Sequence, residues 1–307
     1  MDTLFVVGVP KTGTSTMVGI LNCHPDIFIM HEWLIDNFFG KNKRYLFEFC
    51  PKIKEDFGDI RRIESDNVFE LYQSLYKYFY EQGFKYRYFG DKWVSVDTLA
   101  PKYTSWRLNY LRDSKVIFMV RDIREWLCHN KIRKIYYNTE NNIVSPALEY
   151  TKYFINSFKL NDKINIRLKD IIFDRQSVFV KLSEFLGIKD IDLICDRWWE
   201  KVHFPERDEK DYPKFVHKWW EAHGSALAVP KHTHVSVVLK DHYFWDDVLP
   251  IFDKYFNCTN SFGKEEINTD IQHIRKLESK YKNCNVKLNE CYRDINIIKY
   301  NMPNFSR

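Results

Sequence analysis

The chemistry of this chain gathers near its start. Gly8-Val9-Pro10-Lys11-Thr12-Gly13-Thr14-Ser15-Thr16 sets one lysine and a run of hydroxyls around two glycines. Hydroxyls and an ammonium group donate hydrogen bonds and offer nothing that repels an anion. Glycine-rich turns can point several backbone N–H groups at one spot. The set suits a phosphate-type ligand. Before it, the apolar run Leu4 to Val7 reads as a buried strand; after it, Met17-Val18-Gly19-Ile20-Leu21 reads as a helix. The loop therefore lies at a helix N-terminus, where unpaired N–H groups and the helix dipole favour negative charge.

The position of the lysine decides which phosphate chemistry fits. A nucleoside-triphosphate loop reads G-x-x-x-x-G-K-[ST], with lysine after the second glycine and a hydroxyl for Mg²⁺. Here Lys11 precedes Gly13, and Thr14 stands where that lysine would be. The order resembles the 5′-phosphosulfate loop, P-K-[ST]-G-T-[ST], of the sulfotransferases. That resemblance implies 3′-phosphoadenosine 5′-phosphosulfate as co-substrate, with no metal, held by Lys11, Thr12, Gly13, Thr14, Ser15 and Thr16. Two alternatives belong to other classes. A small-molecule or nucleotide kinase needs the lysine and Mg²⁺ hydroxyl that this loop lacks. A non-catalytic sulfotransferase-like assembly protein would have no use for Lys11, Glu32 and Arg121 together.

Lys115 to Val120 is the clearest buried strand, and Arg121 follows it directly. A guanidinium there can grip a phosphate through paired hydrogen bonds. The segment resembles the family's 3′-phosphate signature, a strand followed by R-[DN]-P and a serine eight residues after the arginine. Ile123 replaces the proline, and His129 stands at the serine's place, where a ring N–H can donate instead. Earlier, Leu21-Asn22-Cys23-His24-Pro25-Asp26 leads through a short strand, Ile27 to Met30, into His31 and Glu32. Open α/β sheets bind ligands at such strand ends. The pattern resembles the glycan and tyrosyl-protein branches of the family, which implies Glu32 as general base and leaves His31 as its competitor.

Tyr86 to Phe89 reads as a strand ending at Gly90-Asp91-Lys92-Trp93. This resembles the G-D-K segment of carbohydrate and bacterial sulfotransferases, so Lys92 would neutralise the sulfuryl group or the acceptor, with Asp91 orienting it. Pro230-Lys231-His232-Thr233-His234 occupies the place of the family's basic nucleotide-closing loop, without its glycine and arginine. Lys231 is the residue carried over. The G-D-K segment and the Trp-rich stretch from Trp198 to His234 favour a carbohydrate over a tyrosyl peptide or small phenol as acceptor. Charged residues 40–64 read as a surface loop that can face it.

Positioning these groups requires strands alternating with helices, hence an α/β fold with a P-loop-like central parallel sheet flanked by helices. Helices are expected over Phe69 to Phe79, Leu99 to Leu111, Ala147 to Phe158 and Val178 to Leu186, the last capped by Gly187. Asn165 to Arg175 reads as a strand and acidic turn, and Asp241 to Phe256 as the closing helix. This unit spans 1–258, followed by a C-terminal helix over 259–307. In that extension Ile267, Ile271, Ile274, Leu277, Tyr281, Cys284, Leu288, Cys291, Ile295 and Ile298 fall three or four apart. Such a seam fits a coiled coil, giving a homo-oligomer through 264–298 or a helix packed back on the first unit.

Composition sets the outer bounds. At 307 residues the chain can bury a large core, and its 24 Phe, 19 Tyr and 9 Trp argue against disorder. A net charge of +5 fits an anionic ligand but is too small to argue for nucleic acid. Seven cysteines without short paired spacings point to reduced thiols, not a disulfide framework or zinc site. No apolar run approaches the ~20 residues of a membrane span. A strand from the outset leaves no room for a signal peptide. A cytoplasmic protein is the expectation, or a Golgi-lumen one if the chain is a fragment of an anchored enzyme.

Overall fold

In a computed structural model, the described residues are 2–31, 76–77, 80–81, 85–94, 111, 114–129, 142–191, 231–258 and 262–301; for residues 31, 94, 231–234 and 298–301 this covers the backbone alone. Glu32, residues 40–64 and most of the Trp-rich stretch lie outside them, as do the expected helix 99–111 up to Leu111 and most of 69–79.

The chain runs β1 (Asp2–Gly8), α1 (Thr14–Leu21), β2 (Ile27–His31), β3 (Tyr88–Val94), β4 (Lys115–Val120), α2 (Ile123–Leu127), α3 (Val144–Ser157), β5 (Lys163–Arg167), α4 (Leu168–Phe173) and α5 (Arg175–Leu186). It continues with β6 (Lys231–Leu239), α6 (Tyr243–Phe256), α7 (Lys264–Lys280), α8 (Leu288–Cys291) and β7 (Tyr292–Asn301). Strands β1 to β5 form one parallel sheet in the order β2-β3-β1-β4-β5. Strand β1 is central, and Leu4 to Val7 are buried because helices cover both faces of a parallel sheet. The chain leaves β1 toward β2 on one side and later passes from β4 to β5 on the other. The carboxyl ends of β1 and β4 thus flank the crevice where such sheets hold ligands.

Strand β3 does not stop at Gly90. It continues through Gly90-Asp91-Lys92-Trp93-Val94, because β1 and β2 pair with it on both sides: Lys92 is opposite Val6 on one and His31 on the other. Glycine is required here by space, since a Cβ at Gly90 would lie 1.7 Å from the Leu4 carbonyl oxygen. Gly90→Ala is accordingly expected to lower unfolding free energy by about 2–3 kcal/mol, read from urea denaturation, with the strands forced apart at the sheet's centre. Leu168 to Phe173, expected as an acidic turn, form the helix α4. Gly187 takes the left-handed cap of α5 at φ 58°, as the sequence led us to expect.

The C-terminal extension departs furthest from expectation. Helix α7 ends at Lys280, and residues 292–301 form β7, antiparallel to β6. No coiled-coil seam runs to residue 298. Ile267, Ile271, Ile274 and Leu277 are buried on a helix packed against α3, in the same core as the sheet. Salt bridges and hydrogen bonds fasten it: Lys152 to Glu278, Lys280 to Asp247 at 2.5 Å, and the Tyr281 hydroxyl to Asp247 at 2.6 Å. The reason for the change of structure lies in Ile295-Asn296-Ile297, whose alternation suits a strand, and in Val237 and Val235 opposite. A spacing of three between Ile295 and Ile298 had concealed that alternation. Lys231 to His234, expected as a loop, open β6. Among the described residues no helix is long and apolar enough to cross a membrane.

Candidate active site

The loop between β1 and α1 is wound tightly by two residues of positive φ, Lys11 at 70° and Gly13 at 97°. Thr12 between them is buried and pinned, its amide donating to the Val9 carbonyl at 3.3 Å and its hydroxyl donating to the same oxygen at 2.8 Å. Gly8 admits this fold: a Cβ there would sit 2.6 Å from Thr12 Oγ1 and 2.9 Å from the Met119 carbonyl oxygen. Gly13 is the N-cap of α1, and no side chain caps the helix. The start of this eight-residue helix thus lacks a side-chain cap, the kind of helix end that suits an anion. Thr14 is buried, while Lys11, Ser15 and Thr16 are half-buried.

Arg121 comes to this loop from the end of β4. It is 4 % exposed, and its Nη1 donates to the Lys11 carbonyl oxygen at 3.4 Å. The neighbouring carbonyl, of Pro10, accepts from Trp126 Nε1 at 2.7 Å. Tyr150 on α3 clamps the arginine's backbone, its hydroxyl accepting from the Arg121 amide at 2.9 Å and donating to the Arg121 carbonyl at 2.6 Å. Asp122 caps α2 through the Arg124 amide, and the Arg124 guanidinium ties Asp122 to Asp253 on α6. These bonds hold Arg121 on a rigid corner. Glu125 Oε2 lies 3.7 Å from Arg121 Nε, one helical turn along. Burial pushes the Glu125 carboxyl up to about 7, against the pull of Arg121. Burial also lowers the Arg121 guanidinium below its usual range, although an arginine stays charged at neutral pH.

A third group arrives from β3. Asp91 and Lys92 are both buried, and Asp91 Oδ1 accepts from the Lys92 amide at 2.8 Å. Lys92 Nζ donates to Ser15 Oγ at 3.0 Å, bringing a second lysine to the loop. The His31 backbone is opposite Lys92, and Glu32, the next residue, lies outside the described residues. His129 follows α2, half-buried, its amide donating to the Trp126 carbonyl at 3.1 Å. Lys231 stands at the start of β6 with only its backbone described. The fold therefore joins Lys11 to Ser15, Lys92 and Arg121 in one crevice. Sequence reasoning missed Tyr150, Trp126 and Glu125. The four-residue step from Arg121 to Glu125 was the available signal for the last; nothing local could flag Tyr150, which acts across 29 residues.

A family model described as "Sulfotransferase family" matches residues 3–192, well over half the chain. The chain is a member of the sulfotransferase family. Among solved structures, this sulfotransferase is similar to the sulfotransferase domain from the curacin biosynthetic pathway, at 13% identity and TM-score 0.42, over 72% of this chain and 96% of that one. It is also similar to the sulfotransferase domain of the Synechococcus PCC 7002 olefin synthase, at 15% identity and TM-score 0.37, over 72% and 94%. A sulfotransferase from Alicyclobacillus acidocaldarius matches at 15% identity and TM-score 0.37, over 74% and 94%. No curated protein sequence matches this one.

Proposed function

We propose that this sulfotransferase moves a sulfuryl group from 3′-phosphoadenosine 5′-phosphosulfate to a hydroxyl or amine of a carbohydrate. The observation that supports the donor assignment is the 3.4 Å contact from Arg121 Nη1 to the Lys11 carbonyl oxygen, which brings the guanidinium to the loop at the start of α1, a helix that no side chain caps. The donor supplies the sulfuryl group and departs as a nucleotide diphosphate. Lys11 and the loop amides stabilise the negative charge that grows on the departing side, a preorganised electrostatic role. Arg121 anchors the nucleotide's 3′-phosphate, with His129 and Lys231 as its further donors. Lys92, held on Ser15, meets the charge of the sulfuryl group or acceptor. Glu32 takes the acceptor's proton, with His31 as the alternative base. The carbohydrate assignment rests on the resemblance of Gly90-Asp91-Lys92 to the corresponding carbohydrate-family segment.

The decisive experiment is a radiolabelled transfer screen from the phosphosulfate donor across glycans, tyrosyl peptides and phenols. Label is expected in glycans; label confined to peptide or phenol would overturn the acceptor, and calorimetric binding of ATP·Mg²⁺ but not of 3′-phosphoadenosine 5′-phosphate would overturn the donor.

Glu125 makes this site sensitive to pH. As pH climbs through about 7 its carboxyl gains charge 3.7 Å from the Arg121 Nε, and that charge opposes an incoming phosphate at the same guanidinium. The donor KM is expected to rise between pH 6 and pH 8, and Glu125→Gln to flatten that rise. Stability gives an independent readout. The folded pKa is raised above the unfolded carboxylate value, so the folded state holds the proton more firmly and stability falls as pH climbs from that value toward about 7. The variant's stability relative to the parent should therefore grow across the same interval.

A further inference from the structure

Away from this crevice, a cavity of about 440 Å³ opens along β5, the edge strand of the sheet. Its volume falls in the range of small-molecule sites. Phe154, Phe158 and Leu160, from α3 and the turn after it, and Tyr255 and Phe256, from the end of α6, form one continuous apolar wall, with the Phe158 and Tyr255 rings edge to face at 5.0 Å. The charged lining residues are Lys163, Arg167, Lys181 and Asp170. Asp170 is already bonded to Arg167 at 2.7 Å, so that pair contributes little net charge. Lys163 and Lys181 remain, and among the described residues neither has a carboxylate partner.

Lys163 is the unusual group. Its ammonium donates to Ser157 Oγ at 2.9 Å and Asn165 Oδ1 at 3.0 Å, both neutral, and lies 3.3 Å from the centre of the Phe158 ring. Removing an ammonium from water without a counter-ion is costly, and burial accordingly holds this lysine well below its usual range. The chamber therefore holds an amine whose proton is loosely bound and has no carboxylate beside it, and an incoming anion would restore the charged form. We infer that this cavity is a second ligand site, taking a small aromatic anion whose ring rests against the wall that Phe158, Tyr255 and Phe256 form and whose carboxylate or phosphate is met by Lys163 and Lys181. The Lys163 end of the cavity is distinct from the donor crevice, although Val120, the residue before Arg121, lines its other end. Lys163 pairs with Val116, five residues before Arg121, which places it roughly 16 Å farther down the sheet. None of Lys11 to Thr16, Lys92 or Arg121 lines the cavity.

Pyridoxal 5′-phosphate is a suitable probe, being an aromatic phosphate that carries an aldehyde. The neutral Lys163 amine adds to the aldehyde and water leaves, forming an imine; borohydride then delivers hydride and fixes a secondary amine, located by peptide mapping. Lys163 is expected to be modified with saturable dependence on reagent, ahead of exposed lysines such as Lys240. 2-Naphthoate should compete, whereas 3′-phosphoadenosine 5′-phosphate should protect Lys11 and leave Lys163 reactive. Lys181 is exposed, so Lys181→Ala should fold normally and reduce Lys163 modification roughly fivefold at low reagent, the scale of one lost charge contact. Modification of Lys163 no faster than Lys240, its protection by the nucleotide, or no effect of Lys181→Ala would overturn the site.

Discussion

Replacing Lys11 with alanine is expected to lower kcat by about 10²-fold or more while the protein folds normally. The magnitude is that of one preorganised donor lost from the place where charge develops. Its backbone is at positive φ, a conformation that alanine tolerates poorly, so the variant is compared with Lys11→Gly, which relieves that strain. Both variants should share the catalytic loss. Circular dichroism and unfolding midpoints would separate them, with glycine the more stable if the strain matters. Equal turnover in parent and Lys11→Gly would remove the lysine from the chemistry. Because the Lys11 contact with Arg121 is made by its carbonyl oxygen, neither variant deletes that bond.

The elements that could be read from sequence are those whose evidence is local. Leu4 to Val7 and Lys115 to Val120 are unbroken apolar runs, and a strand buried on both faces has that signature. The loop of Lys11 was legible because glycines and hydroxyls occur there in an order that few other structures need. What escaped was decided by partners distant in the chain. Gly90 and Asp91 are poor strand formers, yet β1 and β2 hold them extended from both sides. The segment 292–301 becomes a strand only because β6 lies beside it. Tyr150 could not be linked to Arg121 from spacing, although its one hydroxyl satisfies both backbone groups of that residue. The apolar face of α7 was read correctly as a helical stripe, but periodicity alone does not say what covers a stripe; here it is α3.

Arg121→Ala should raise the donor KM by about 10²-fold, a loss on the scale of one bidentate arginine–phosphate contact. It should also destabilise the protein, since removing one member of a buried charged pair strands the other. The group left behind is Glu125, which keeps the weaker pull of Lys169 and Arg124, and its raised pKa limits the damage further. Without Arg121 to pull it down, that carboxyl stays protonated to higher pH, so the penalty should be small at pH 6 and larger at pH 8. The double variant Arg121→Ala/Glu125→Gln removes that carboxylate and should recover most of the stability without recovering the KM. Arg121→Lys keeps the charge but loses the planar fork, and should restore KM only in part. If the double variant regained both stability and donor KM, Arg121 would serve the fold alone, and the nucleotide's anchor would have to be sought among other residues.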